Sequence, residues 1–172
     1  MADIAEYAVG AYLQFVLGCQ FVLYNQPVLQ EQGELDVLGI KETDGKRNLF
    51  VCEVAFHLHG LRYSQGRATD GPGVSARKVI HRLEAKFRRA SEAVQRMFPA
   101  YTPTFQFWTL RSRPGINELW PGLCDGLGLQ VEFVHDAGFT ARLEELRAAA
   151  RASKSYVDNP FFRSLQIIEH AR

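Results

Sequence analysis

Cysteine is scarce in this chain and badly spaced for any shared task. Cys19, Cys52 and Cys124 are the only three in 172 residues, an odd number with no CxxC pair, which argues against a disulfide framework and a structural zinc site. Cys19 and Cys52 sit among apolar neighbours, as small buried hydrophobes do. Long apolar runs are missing too, since no stretch approaches the ~20 residues needed to cross a bilayer. The segment Met1-Ala2-Asp3-Ile4-Ala5-Glu6 has neither the basic start nor the apolar stretch of a signal peptide, so a cytoplasmic protein without membrane contact is expected. An excess of charge of one sign is also lacking. Lys and Arg number 20 against 19 Asp and Glu, a net +1, so no global field draws the chain to nucleic acid or membrane. There is no internal repeat and no low-complexity tract. What remains is 47% hydrophobic and 23% charged, the composition of an ordinary globular protein long enough to build a core.

Periodicity then divides the chain. Ile4, Ala8, Ala11, Tyr12, Phe15 and Val16 recur at helical spacing within residues 3–17, and Gly18 is a natural stop. Strands are expected at Phe21–Tyr24, Leu35–Ile40 and Leu49 to about His57, the last two joined by the polar turn Glu42-Thr43-Asp44-Gly45-Lys46. A loop from Gly66 to Gly73 leads into a helix over 75–98, whose stripe of Val79, Ile80, Leu83, Phe87, Ala90, Val94 and Phe98 ends at Pro99. Further strands are expected at Phe105–Leu110 and Leu129–Val134, and helices at Gly115–Leu123, Phe139–Ala152 and Pro160–Ala171. That order implies an α/β sandwich around a mixed sheet. A single domain is expected, with a core over about 3–135 and a helical extension over about 138–172.

Chemistry concentrates in two strands. Gly33-Glu34-Leu35-Asp36-Val37 opens the second, and Phe50-Val51-Cys52-Glu53-Val54-Ala55 lies on the third. In an antiparallel pair Asp36 and Glu53 can face each other on one side of the sheet. Two such carboxylates repel, and a divalent cation relieves the repulsion. The Val54 carbonyl is a candidate third ligand. Mg²⁺ or Mn²⁺ held there would polarise a phosphodiester and lower the pKa of a bound water.

The element order and these residues resemble the PD-(D/E)XK superfamily of restriction-endonuclease-like nucleases, over about Ala5 to Phe107. The matching pieces are Glu6 in the first helix, Gly33-Glu34-Leu35-Asp36 against "GEID", and Cys52-Glu53-Val54-Ala55 against "VEVK". The resemblance implies a restriction-endonuclease-like fold with an α-β-β-β-α-β core and cleavage of DNA. It also implies that Asp36 and Glu53 bind metal, with Glu6 as a water-mediated or orienting contact. One departure is plain. The family's lysine, which positions the attacking water and stabilises developing negative charge, would fall at Ala55.

Two replacements are in reach. Some members of that superfamily supply the lysine from the following helix, which here carries Lys78 and Lys86. A second likeness, to bacterial proteins of no assigned activity, matches Glu53-Val54-Ala55-Phe56-His57-Leu58-His59-Gly60-Leu61-Arg62-Tyr63, the helix around Lys86, and Asn159-Pro160-Phe161-Phe162-Arg163-Ser164-Leu165-Gln166-Ile167-Ile168-Glu169. It favours Lys86. The other replacement is histidine. Residues 53, 55, 57 and 59 share a face if the strand stays extended, so His57 could act as general base, or Glu53, His57 and His59 could hold a transition metal on a different substrate.

Plainer roles stand beside these. Acids near strand ends are often solvated, strand-end histidines often anchor loops, and Glu6 fits a surface acid. The helix from Arg77 to Arg96 carries Arg77, Lys78, Arg82, Lys86, Arg88, Arg89 and Arg96 against Glu84 and Glu92. Arg77, Lys78, Arg82 and Arg89 are the candidates for phosphate contact, while pairs such as Arg88–Glu92 suit a merely solvated face. Phe161, Phe162, Leu165 and Ile168 are spaced to pack the last helix on the domain, or to join two copies as a homodimer. Trp108 and Trp120 fit the core better than a base-stacking platform. A catalytically inactive DNA-binding or assembly module, as Ala55 suggests, is the main alternative to an enzyme.

Overall fold

The computed structural model describes residues 2–28, 33–56 and 72–171. Helix α1, Ile4–Phe15, begins where Asp3 accepts the amides of Ala5 and Glu6 and Glu6 returns a bond to the Asp3 amide, a capping box. Strands β1 (Phe21–Pro27), β2 (Glu34–Thr43) and β3 (Lys46–Val54) form an antiparallel meander. The β2–β3 turn is tight because Asp44 and Gly45 both take positive φ, 51° and 75°. Helix α2, Pro72–Met97, then crosses back so that β4, Thr102–Trp108, pairs parallel to β3. Helix α3, Pro114–Leu127, leads to β5, Val131–Val134, parallel to β4. The chain closes with α4, Asp136–Ala152, and α5, Pro160–His170. The protein is α/β, with a mixed sheet in the order β1-β2-β3-β4-β5 and five helices among the described residues.

Helices cover both faces. Leu38, Leu49, Val51, Phe105 and Phe107 pack beneath α2 and α3, while Val37, Cys52 and Trp108 pack beneath α1. This is why β3 is continuously apolar from Leu49 to Cys52: a central strand covered on both sides has no solvent face there. Phe87 of α2 meets Phe105 and Phe107 edge-on and is fully buried, so truncating it to Ala would cost about 3–5 kcal/mol. Gly39 lets α1 sit close on the other face, since a Cβ there would lie 2.9 Å from Leu13 Cδ1 and 3.0 Å from Cys19 Sγ. Helices α4 and α5 share the layer of α1. Phe162 of α5 stacks on Phe15 at 3.9 Å between ring centres, with Ala11 and Leu146 in the same cluster.

Several expectations shift at their edges. Strand β3 ends at Val54 instead of near His57, β2 extends to Thr43, and α3 runs on to Leu127. Trp108, Trp120 and all three cysteines are buried. Ile168 does not join the packed side of α5 but is 50% exposed. Arg88 pairs with Glu84 at 2.9 Å, one turn back, and not with Glu92. No helix among the described residues is long and apolar enough to cross a membrane.

Candidate functional site

The last ladder pair between β2 and β3 is Val37–Cys52. One step further along that register, Asp36 stands opposite Glu53. Here the strand pairing is replaced by a side chain: the Val54 amide donates to Asp36 Oδ2 at 2.8 Å. Backbone alternation turns the Val54 carbonyl toward the same edge. Glu53 shares the side of β3 that carries Leu49 and Val51, beneath α2. Both acids are buried, Asp36 at 7% exposed and Glu53 at 1%.

Lys86 closes the arrangement from α2. Its ammonium lies 3.0 Å from Asp36 Oδ2 and 3.3 Å from Oδ1 and also contacts Glu53 Oε2. One positive charge therefore serves two carboxylates. Glu53 is the less satisfied. Both of its oxygens are fully buried and neither accepts a hydrogen bond of ordinary geometry, leaving the Lys86 contact on Oε2 as its charged partner. Burial first, and then the Asp36 charge, push the Glu53 carboxyl well above its usual range, against the pull of Lys86. Burial alone would lower the Lys86 ammonium, but Glu53 and Asp36 outweigh it and hold it above its ordinary value.

The donor set suits a hard divalent cation such as Mg²⁺ or Mn²⁺ better than a softer one such as Zn²⁺: carboxylate oxygens and a carbonyl, with no nitrogen or sulfur ligand. Glu53 Oε1, buried and without a partner among the described residues, is what such an ion would satisfy first. No group of three or more His, Cys, Asp or Glu side chains with metal-binding geometry occurs among the described residues, so the ion would complete its shell with water. Beside the acids a cleft of about 40 Å³, lined by Gly33, Glu34, Glu53, Lys86 and Arg89, has room for a few water molecules. A wider depression, about 900 Å³ around Glu42–Asn48 and Thr102, lies at the other end of β2 and β3 and touches none of these groups.

No family model matches the chain, and no match is found among curated proteins or solved structures.

Lys78 sits on the exposed face of α2, two turns or about 12 Å before Lys86 along the helix axis. The ion pairs recorded for Asp36 and Glu53 go to Lys86 instead. Lys78, Arg82, Lys86 and Arg89 follow at i, i+4, i+8 and i+11, so they share one stripe of α2, which Arg96 continues. Lys86 is on its core-facing margin. Glu84 and Glu92 fall on the other flank with Arg77 and Arg88. Glu6 serves the capping box of α1 through Oε2; burial raises its carboxyl, Asp3 and Asp36 add to that, and the Asp3 amide and Asn25 oppose it. It is thus near enough to Asp36 to feel its charge. His57 and His59 lie outside the described residues.

Sequence reasoning missed Asn25. It lies opposite Asp36 on β1, takes a left-handed φ of 50°, and buries an Oδ1 with no partner. Asparagine tolerates that conformation better than most residues, the one signal the sequence offered. Also missed is a polar chain across the other face. Arg142 joins Tyr12 to Glu132, Tyr12 donates to Glu145 at 2.6 Å, and Gln106 donates to Glu132 at 2.6 Å. Gln106 in turn accepts from Cys52 and Trp108. A glutamine inside Phe105-Gln106-Phe107-Trp108 was its visible mark.

Proposed function

We propose that the protein is a metal-dependent endonuclease with a restriction-endonuclease-like fold, hydrolysing DNA phosphodiester bonds at Asp36, Glu53 and Lys86. The observation that carries this reading is the meeting of the three side chains at the open end of the β2–β3 ladder, with Glu53 Oε1 buried and without a partner among the described residues. Asp36, Glu53 and the Val54 carbonyl would hold Mg²⁺ or Mn²⁺. When bound, the ion supplies Lewis-acid polarisation of the phosphodiester and a water of lowered pKa. Asp36 keeps its orientation through the Val54 amide. Lys86 would reach from α2 the point that Ala55, just past β3, cannot serve, and its ammonium would orient a water and steady negative charge developing on phosphate oxygens. Arg89 and Arg82 on the same stripe would grip neighbouring phosphates. Glu6, within electrostatic range of Asp36, would orient a metal-bound water.

A specific feature favours a second reading. An ammonium bridging both acids can also be a finished structural ion pair, as in an inactive DNA-binding or assembly module of the same fold. Incubating purified protein with plasmid DNA and Mg²⁺ or Mn²⁺ separates the two. Cleavage that disappears in Asp36→Ala and Glu53→Ala establishes the enzyme. DNA retardation without cleavage under either ion leaves the module.

A further inference from the structure

Asp36 and Glu53 offer four carboxylate oxygens, and Lys86 has claimed most of them. Its ammonium is within hydrogen-bonding reach of both Asp36 oxygens and contacts Glu53 Oε2. Asp36 Oδ2 is further used by the Val54 amide. Only Glu53 Oε1 has neither a hydrogen bond nor an ion-pair contact among the described residues. A divalent cation ligated by both acids needs oxygens that Lys86 already holds, and two cations cannot share them without strong repulsion.

We propose that Lys86 is a resident counter-cation: in the metal-free protein its ammonium occupies the position between Asp36 and Glu53 that a divalent ion needs, so the ion enters only by exchange with it. This rests on the reading of the two acids as cation ligands. The arrangement accounts for how the fold tolerates two desolvated acids without metal, since buried carboxylates left unpaired are strongly destabilising. Lys86 is also able to leave. Its side chain is 37% exposed, it sits on the polar margin of α2, and its four-carbon stem has several rotatable bonds. The cleft beside it is shared with Arg89 and Glu34. A displaced ammonium next to Arg89 is stabilised by an anion, and a phosphate of the substrate backbone is the anion that the proposed reaction brings. Cation entry and phosphate binding therefore favour each other through one side chain.

Mn²⁺ binding, followed by the electron paramagnetic resonance of the free ion, tests the exchange in wild type, Lys86→Met and Lys86→Arg, with Asp36→Asn as the site control. Lys86→Met is expected to bind Mn²⁺ roughly tenfold or more tightly than wild type, because the competing charge is gone. Lys86→Arg, which keeps the charge, is expected to bind no more tightly than wild type. Unchanged or weaker binding by Lys86→Met, with binding abolished by Asp36→Asn, overturns the exchange while the cation site stands. Mn²⁺ binding that is absent, or indifferent to Asp36→Asn, overturns both. A second measurement does not depend on Lys86→Met folding. In ¹⁵N-lysine-labelled wild type, saturating Mg²⁺ is expected to shift the Lys86 ammonium signal and remove its protection from exchange. A Lys86 signal unmoved by bound Mg²⁺ contradicts the proposal.

Discussion

Glu53 lies in the core and Glu169 is only partly buried; their side chains are almost equally covered, 1% and 2% exposed, yet they are held in opposite ways. Glu169 on α5 gives each oxygen its own guanidinium: Oε2 to Arg151 at 2.6 Å and Oε1 to Arg147 at 2.7 Å. Those bonds, Arg151 first, draw its carboxyl down to about 2. Glu53 shares a single ammonium with Asp36, has no conventional hydrogen bond, and is pushed upward. Burial alone does not mark a site. A covered acid with a full complement of partners fastens α4 to α5, whereas one left short is a candidate to take a ligand.

The largest effect expected from this contrast is on activity. Glu53→Gln should lower DNA cleavage by a factor on the order of 10² to 10³ while leaving the metal-free melting temperature unchanged or raised, because it removes a poorly compensated buried charge. Glu169→Gln should do the reverse, lowering the melting temperature with cleavage intact. If the two variants behaved alike in both assays, the distinction between them would be lost. Lys86→Ala comes next. It strands two acids, and denaturant titration of the metal-free protein should register a loss of about 1–3 kcal/mol, below the usual figure for a broken buried pair because Lys86 is partly exposed.

Acid and base limbs of stability sharpen the contrast further. The folded pKa of Glu169 is depressed, so its contribution is present above the ordinary carboxylate value of 4.5 and is lost as pH falls toward about 2. The folded pKa of Glu53 is raised. Its unfolded form ionises first as pH climbs past 4.5, so stability is highest below that pH and declines until the folded carboxyl ionises too. Melting temperatures recorded across pH should show Glu169→Gln flattening the acid limb and Glu53→Gln flattening the decline above it. The smallest effect belongs to the stripe. Arg82→Ala or Arg89→Ala should weaken DNA binding by a similar factor whatever the sequence, and each should reduce the slope of log K against log salt by about 1.

Much of this was legible because it is local or periodic. The α2 stripe, the β2–β3 turn and the Leu35-Asp36-Val37 and Cys52-Glu53-Val54 segments locate the acids and, through antiparallel alternation, bring them together. Lys86 was harder. It lies well beyond β3 in sequence, and spacing alone left Lys78 equal to it; only the packing of Phe87 and Leu83 onto the sheet fixes which turn of α2 overlies Glu53. The Glu169 clamp had no local signature, and the Tyr12–Arg142–Glu132–Gln106 chain had only Gln106 within an apolar strand, since each depends on how α4 lies across the sheet and α5 across α4. Glu6 has two roles in one residue, a helix cap and a neighbour of Asp36; the resemblance pointed to the second, and the spacing of Asp3 and Glu6 carried an unread sign of the first. Asn25 lay just past the strand expected at Phe21–Tyr24, and β1 in fact continues through it to Pro27.

The account rests most heavily on cation binding between Asp36 and Glu53, and diffraction from crystals soaked in Mn²⁺, recorded at the manganese edge, tests it directly. The expected result is an anomalous peak roughly 2.0–2.2 Å from a carboxylate oxygen of each acid, with the Lys86 ammonium moved aside. Crystals saturated with Mn²⁺ that hold no peak there, and in which Lys86 still bridges the two carboxylates, would contradict it.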